Sequence, residues 1–132
     1  MCSKYLIGDM LSALDGKRCF YNLPVSVSYS GVCEGILSVM QNFGYVESFS
    51  VSGDKNKTID VILKLFGGKK TLNSFKLYSK PSRRLYRTKE ELRKMIKYSE
   101  YSLLIVSTSK GVMSAGEAVK LGVGGEVLCE IF

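Results

Sequence analysis

Residues 101–132 read YSLLIVSTSKGVMSAGEAVKLGVGGEVLCEIF, and this stretch predicts a strand, a turn, a helix and a final strand. The nearly continuous apolar run Tyr101–Val106 is typical of a buried strand. The small, polar residues Ser107–Gly111 that follow it indicate a turn. Ser114-Ala115-Gly116-Glu117 has the spacing of a capping box, so a short helix is expected to begin there and to end at Gly122.

Further strands and one more helix are expected on either side of this helix. The final strand is expected over Glu126–Phe132, with Val127, Cys129 and Ile131 on one face. The C-terminal part of the chain is therefore expected to be mostly β with short helices. Before Tyr101 we expect strands at Phe75–Tyr78 and Arg84–Tyr86, and a helix of one or two turns after the capping box Thr88-Lys89-Glu90-Glu91.

The first half of the chain predicts the element order αβαββ. Apolar residues recur at helical spacing between residues 4 and 14, where Ser3 is an N-cap candidate, and again from Val32 to Phe43, which Gly44 ends. Alternating segments indicate three strands, the last two joined by turn residues at Gly53–Asn56. The expected strands are Val25–Ser28, Tyr45–Ser52 and Ile59–Leu65.

One lobe boundary is expected, at Gly67-Gly68. The paired glycines interrupt the strand pattern, and Lys69 and Lys70 directly after them are costly to bury. The fold class is therefore expected to be α+β with two small lobes. Residues 1–66 would form the N-terminal αβαββ lobe, and residues 67–132 the β-rich C-terminal lobe with short helices.

The chain is basic, and its positive charge is concentrated in the middle. Lys and Arg number 19 against 12 Asp and Glu, and residues 55–97 hold 14 of the basic residues but only 3 of the acidic ones. This excess favours a polyanionic partner. His is absent, which removes the side chain used most often for general acid–base catalysis near neutral pH and for binding zinc or haem.

The cysteines indicate reduced thiols, and neither a metal nor a cofactor is expected. Cys2, Cys19, Cys33 and Cys129 show no C-x-x-C pairing and no metal-ligand spacing. No apolar run approaches the roughly 20 residues that span a bilayer, and the N-terminus has no signal-type apolar core. The expected location is therefore the cytoplasm, with no membrane partner.

The segment Ser107–Gly111 suits phosphate, ribose and base edges, because it combines three hydroxyls, one ammonium and a flexible glycine. An ordinary polar turn whose hydroxyls bond their own backbone explains the same composition. A P-loop is excluded, because the glycine spacing before Lys110 is absent. Ser107 and Lys110 also spell S-x-x-K, but the other motifs of serine–lysine hydrolases are missing, so that alternative is weak.

Two further segments carry binding chemistry, and each has a structural alternative. Lys80–Arg87 holds three arginines and a tyrosine, which suit phosphates and a stacked base, whereas a basic edge strand that resists aggregation explains the same residues. Gly122–Glu126 offers a glycine backbone that a partner can approach and a carboxylate that can accept from a base amino group. A helix C-cap explains its first glycine fully and the other two only partly.

The chain resembles the bacterial-type small-subunit ribosomal protein eight family over nearly its whole length. The agreement is strongest where STSKGVM (residues 107–113) and GVGGEVLC (residues 122–129) look like the two most specific strings of that family. Such agreement is not expected by chance. Shorter matches occur in the family's order at Asp9-Met10-Leu11, Gly44-Tyr45-Val46, Ser79-Lys80-Pro81 and Arg84-Leu85-Tyr86.

This resemblance implies a non-enzymatic protein of the cytoplasmic ribosome. It implies direct, early binding to an irregular stem in the central domain of small-subunit ribosomal RNA, needed for platform assembly, beside neighbouring small-subunit proteins. Members of the family also bind their own messenger RNA and repress their operon, which is a further expectation. By position, the expected RNA-binding residues are Ser107, Thr108, Ser109, Lys110, Gly111, Tyr86, Gly124, Gly125 and Glu126; charge adds Lys80, Arg83, Arg84 and Arg87.

The chain departs from the family pattern at three places. Ala13-Leu14-Asp15-Gly16 stands where arginine and asparagine are usual, Gly31 and Cys33 replace lysines, and Ala115-Gly116 replaces an Asp-Arg pair. We expect Lys17 and Arg18 to compensate for the missing N-terminal contacts. A free RNA-binding regulator that uses the same surface is the alternative class.

Overall fold

The computed structural model describes residues 6–15, 25–66, 69–70, 72, 74–80, 82–98 and 102–132. Several predicted features lie outside these residues: the N-cap Ser3, Cys2 and Cys19, the pair Lys17 and Arg18, and the boundary Gly67-Gly68. The elements in chain order are α1 (Leu6–Asp15), β1 (Val25–Ser28), α2 (Gly31–Asn42), β2 (Val46–Ser52), β3 (Thr58–Leu63), β4 (Leu65–Phe66), β5 (Lys69–Lys70), β6 (Phe75–Leu77), β7 (Tyr86–Arg87), α3 (Lys89–Tyr98), β8 (Leu103–Thr108), β9 (Gly111–Ser114), α4 (Ala115–Leu121) and β10 (Gly125–Ile131).

The contacts within the chain divide it into two compact units, Met1–Ser74 and Phe75–Phe132. The α+β class with an N-terminal and a C-terminal lobe is confirmed. The predicted boundary at Gly67-Gly68 stays a prediction. Among the described residues, no helix is long and apolar enough to cross a membrane.

The N-terminal unit has the predicted order αβαββ, followed by the short pair β4 and β5. Its three-stranded antiparallel sheet has the order β1-β3-β2. The alternation predicted for β3 is observed, because Ile59, Val61 and Leu63 are buried while the residues between them are only half-buried. Helix α2 buries an apolar stripe, and its chain turns away at Gly44, whose φ of 85° is readily adopted only by glycine.

The C-terminal unit is an antiparallel sheet of order β6-β10-β8-β9, with β7 also paired to β10. Both predicted capping boxes begin helices. At α3 the Thr88 hydroxyl accepts from the backbone N–H of Glu91, and the Glu91 carboxylate accepts from that of Thr88. At α4 the Ser114 hydroxyl accepts from the N–H of Glu117, and Gly122 ends the helix in the left-handed conformation. Helix α3 has 10 residues, longer than the one or two turns expected.

Helices α3 and α4 cover one face of this sheet. Leu92 of α3 and Ala118 of α4 pack in one buried cluster with Leu104, Val106 and other apolar residues of β8, β9 and β10. A cluster of this kind fixes the helices on the sheet, because each buried apolar side chain contributes roughly 1.5–3 kcal/mol of transfer free energy. On the opposite face of the sheet Leu103, Ile105 and Ile131 are buried as well, and Ser107 at the end of β8 is only half-buried.

Two strand predictions are wrong in detail. The turn predicted at Ser107–Gly111 is confined to Ser109 and Lys110, because β8 runs to Thr108 and an unpredicted strand, β9, begins at Gly111. Val127 and Cys129 do not share a face of β10: they pair with Val106 and Ile105, which are adjacent in β8 and point to opposite sides. The register shift between them adds one residue and reverses the alternation.

The described cysteines, Cys33 and Cys129, are both buried thiols. Burial raises the pKa of the Cys33 thiol, so the protonated form is favoured at neutral pH. Both residues therefore serve as small apolar side chains of the core.

Candidate functional site

Side chains from four strands line up across one end of the C-terminal sheet. Glu126 of β10 pairs with Tyr86 of β7 on one side and with Ser107 of β8 on the other, and Ser107 pairs with Val112 of β9. Paired residues of antiparallel strands point to the same face. Tyr86, Glu126, Ser107 and Val112 therefore form one row, although they are far apart in the sequence.

This row lies on the face that α3 and α4 leave uncovered. Leu85, Val106 and Val127 each precede or follow a member of the row, and all three pack against the cluster under the helices. Successive residues of a strand point to opposite faces, so the row faces away from α3 and α4. Tyr86 is 65% exposed there, which is unusual for a large aromatic ring and leaves its face open to a partner.

The tip of the β8–β9 hairpin presents Ser109 and Lys110, which are both exposed. The Thr108 hydroxyl is committed to the hairpin, because it accepts from the backbone N–H of Lys110 at 3.1 Å and donates to the carbonyl of Gly111 at 2.9 Å. The hydroxyls of Ser107 and Ser109 make no hydrogen bond to any described residue. The polar-turn explanation therefore fits Thr108 and leaves two hydroxyls and one ammonium available to a ligand.

Two glycines allow the segments of this region to approach each other. A Cβ on Gly124 would lie 2.6 Å from the carbonyl oxygen of Arg87, and one on Gly125 would overlap the carbonyl oxygen of Ser107. A side chain at either position would push the strands apart. The close approach of the backbone therefore accounts for both glycines, which a helix C-cap explains only partly.

Carboxylates hold two of the predicted arginines. Arg84 Nη1 lies 3.3 Å from Glu126 Oε1, with the Arg84 side chain 48% exposed and that of Glu126 16%. Arg87 Nε lies 3.6 Å from Glu91 Oε2, and its Nη1 donates to the carbonyl of Tyr86 at 3.0 Å. The pair with Glu126 sits on the row itself, so a donor and an acceptor for polar ligand groups are placed side by side.

Lys80 and Arg83 belong to a separate tight hairpin. Their backbones exchange two hydrogen bonds, of 2.8 and 3.0 Å, and Ser79 anchors the hairpin by accepting from the N–H of Leu85 at 2.9 Å. Both side chains are exposed. The remaining predicted residues lie at the same end of the sheet and form what we call the sheet-end surface: Arg84, Tyr86, Arg87, Ser107–Gly111 and Gly124–Glu126. Among them, Arg87 points to the side of α3, where Glu91 pairs with it.

One polar cluster was missed by the sequence analysis. Glu130, only 5% exposed, accepts from the Tyr78 hydroxyl at 2.5 Å and from the Ser102 hydroxyl at 2.6 Å. Burial, the hydrogen bond and the negative charge of Glu130 together raise the pKa of Tyr78 to about 12. No sequence signal identifies this cluster, because its three residues meet only through strand pairing.

Neither metal-ligand clusters nor a serine–lysine pair support chemistry in this region. The described residues contain no group of three or more side chains that could hold a metal ion. Within the same part of the chain, Lys110 makes no hydrogen bond with Ser107, so this pair lacks the contact through which a lysine activates a serine. The arrangement is suited to binding.

Comparison with known proteins identifies close relatives. The family model for Ribosomal protein S8 matches residues 6–132. The chain is 46% identical over 129 residues to the small ribosomal subunit protein uS8 of Campylobacter lari. This match covers 96% of this chain and 97% of the relative. It is 45% identical over 106 residues to the uS8 protein of Campylobacter hominis, covering 79% of each chain, and 45% identical over 109 residues to that of a Nitratiruptor species, covering 79% and 80%.

Proposed function

The chain belongs to the ribosomal protein S8 family and is a non-enzymatic structural constituent of the small ribosomal subunit, and we propose that it binds the ribosomal RNA directly through its sheet-end surface. The RNA target is an irregular stem in the central domain, bound early and needed for assembly of the platform. The protein is part of the cytoplasmic ribosome, where it lies beside neighbouring small-subunit proteins.

The observation that supports this proposal most is the row of side chains across four strands. Tyr86 offers a ring on which a base or sugar can stack, and Glu126 offers a carboxylate that accepts from base amino groups. Ser107 and Ser109 offer hydroxyls that both donate and accept. The groups required to contact an unpaired or distorted base are therefore presented together on a rigid sheet.

We assign the selection of the RNA stem and the general attraction to RNA phosphates to different residues. Regular double-helical RNA hides the major-groove edges of its bases in a deep, narrow groove, so the sheet-end surface must contact distorted bases, 2′-hydroxyls and the minor groove. The basic middle of the chain supplies attraction to phosphates, which is independent of sequence and weakens with salt. Specific binding thus depends on the row and on the Ser109 hydroxyl at the hairpin tip, and general affinity depends on the lysines and arginines.

Replacing one hydroxyl tests this division. We expect Ser109→Ala to reduce the preference for the central-domain stem over a regular duplex of equal length, while affinity for the duplex is unchanged, because hydroxyl contacts add little to general attraction. Ser38→Ala, an exposed serine on α2, is the matched control. Equal losses on both RNAs would contradict the assigned role.

The same surface would also bind the messenger RNA of its own operon, provided that this RNA folds into a similar irregular stem. Binding there would repress translation. A reporter carrying the operon leader should be repressed by the wild-type protein and released by the variant Ser109→Ala. Retention of the protein in small subunits after a high-salt wash distinguishes a ribosomal constituent from a free regulator.

A further inference from the structure

A pocket beside the Lys80–Arg83 hairpin combines a cationic rim with an apolar floor. It has a volume of about 300 Å³ and lies entirely within the C-terminal unit. None of its lining residues is a carboxylate. We call it the basic pocket, and its lining residues are Lys76, Leu77, Tyr78, Lys80, Arg83 and Leu85.

The cations of the rim are available to an anion. Lys76, Lys80 and Arg83 have no ion pair among the described residues. The ammonium of Lys76 lies 5.0 Å from the centre of the Tyr78 ring, which keeps it at the pocket. The arginines of the sheet-end surface differ, because Arg84 and Arg87 already face carboxylates. The basic pocket is therefore the stronger anion site of the two.

The walls of the pocket are held before any ligand arrives. Two backbone hydrogen bonds close the hairpin, and the buried Ser79 and the backbone N–H of Val127 fix Leu85 from both sides. The Tyr78 hydroxyl is bound to Glu130, which is buried and does not line the pocket. A preformed site of this kind loses little conformational entropy when it binds.

We propose that the basic pocket holds one unstacked RNA nucleotide, with its phosphate at the cationic rim and its base against Leu77, Tyr78 and Leu85. The proposal rests on the proposed RNA-binding function, since the irregular stem supplies the nucleotide. Unstacked bases of such stems are bound by apolar and aromatic side chains, and arginine and lysine bind the adjoining phosphate. A free mononucleotide has the same chemistry, so both sources enter the test.

The first arm uses the free, full-length protein and AMP, followed by NMR of labelled leucine and tyrosine side chains. AMP should shift the signals of Leu77, Tyr78 and Leu85, and should bind about tenfold more tightly than ribose 5-phosphate, because stacking of the base adds to the phosphate contact. Equal affinities for the two ligands would leave a phosphate site only and would overturn the proposal.

Variants that remove one positive charge test whether AMP binds at the cationic rim. Arg83→Gln should weaken AMP binding several-fold, whereas Lys120→Gln, which removes an exposed lysine of α4 that has no ion pair among the described residues, should not. Both side chains are exposed, so neither variant should disturb folding. Equal weakening by the two variants would mean general attraction and would contradict the pocket.

The second arm identifies the source of the nucleotide. Saturating amounts of the central-domain stem should abolish the AMP-dependent shifts, because the RNA nucleotide then fills the pocket. Persistent AMP binding to the stem complex would overturn the proposal while leaving the RNA-binding function in place. Failure of the wild-type protein to bind the stem at all would contradict the proposed function, and the first arm would still report on the pocket.

Discussion

At Gly125 the missing side chain lets two segments of the sheet-end surface lie next to each other. A Cβ at this position would overlap the carbonyl oxygen of Ser107. The pairing of Glu126 with Ser107 directly follows this contact, so the row of side chains depends on it. Gly125 has no side chain to bind RNA, but it allows the strand pairing that positions the side chains of the row.

Gly125→Ala should destabilise the protein by about 1–3 kcal/mol, because the added methyl group must push β10 away from β8. Gly116→Ala on α4 is the control: its Cβ meets nothing within 4 Å, and alanine favours a helix by about 0.5–1 kcal/mol. Urea unfolding measures both. Unchanged stability of Gly125→Ala would show that the strands do not need this close approach.

The hydroxyl of Tyr78 makes stability dependent on pH at the alkaline end. Its pKa rises from 10.0 to about 12 in the folded protein, so the proton is held more tightly there than in the unfolded chain. The contribution to stability is complete below pH 10 and is lost as the pH rises towards 12. The loss is smaller than the limit of about 1.4 kcal/mol per pH unit for one proton, because the ring is partly solvated.

Tyr78→Phe removes this proton and should flatten the fall in the free energy of unfolding between pH 10 and 12. Urea unfolding at a series of alkaline pH values compares the variant with the wild type. Phenolate absorbance offers a second readout, in which the component titrating near pH 12 disappears. Identical pH profiles for the two proteins would contradict the hydrogen bond to Glu130.

At the scale of elements, the β8–β9 hairpin presents Lys110 without an ion pair among the described residues. Lys110→Ala should weaken RNA binding and lower the slope of log affinity against log salt by about one, as expected for one lost phosphate contact. Lys120→Ala on α4, which packs on the other face of the sheet and lies outside the basic middle, should leave the slope unchanged. An unchanged slope for Lys110→Ala itself would exclude the contact.

The elements that sequence predicts best are those with local signals. Both capping boxes begin helices, and Gly122 ends one, because a cap depends on residues within one turn. The strand β9 and the reversal between Val127 and Cys129 were missed, since both depend on pairing with β8. Local patterns carry no information on such partners.

At the scale of the whole molecule, most of the residues that would attract RNA differ from those that would select it. The basic residues are concentrated between residues 55 and 97, whereas the row that would select RNA brings together Tyr86, Ser107 and Glu126. Family resemblance predicted these three residues from the sequence, but composition alone could not place them in one row. The basic pocket was missed for the same reason, because no linear motif joins Lys76 to Arg83 and Leu85.

The most direct test is the binding of the purified protein to the central-domain stem and to a regular duplex of equal length, each at two salt concentrations. The sheet-end surface predicts tighter binding to the stem, with a preference that persists as salt rises, because hydroxyl, carboxylate and ring contacts release few counterions. Equal affinities for the two RNAs that fall together with salt would contradict the account and leave only general attraction to phosphate.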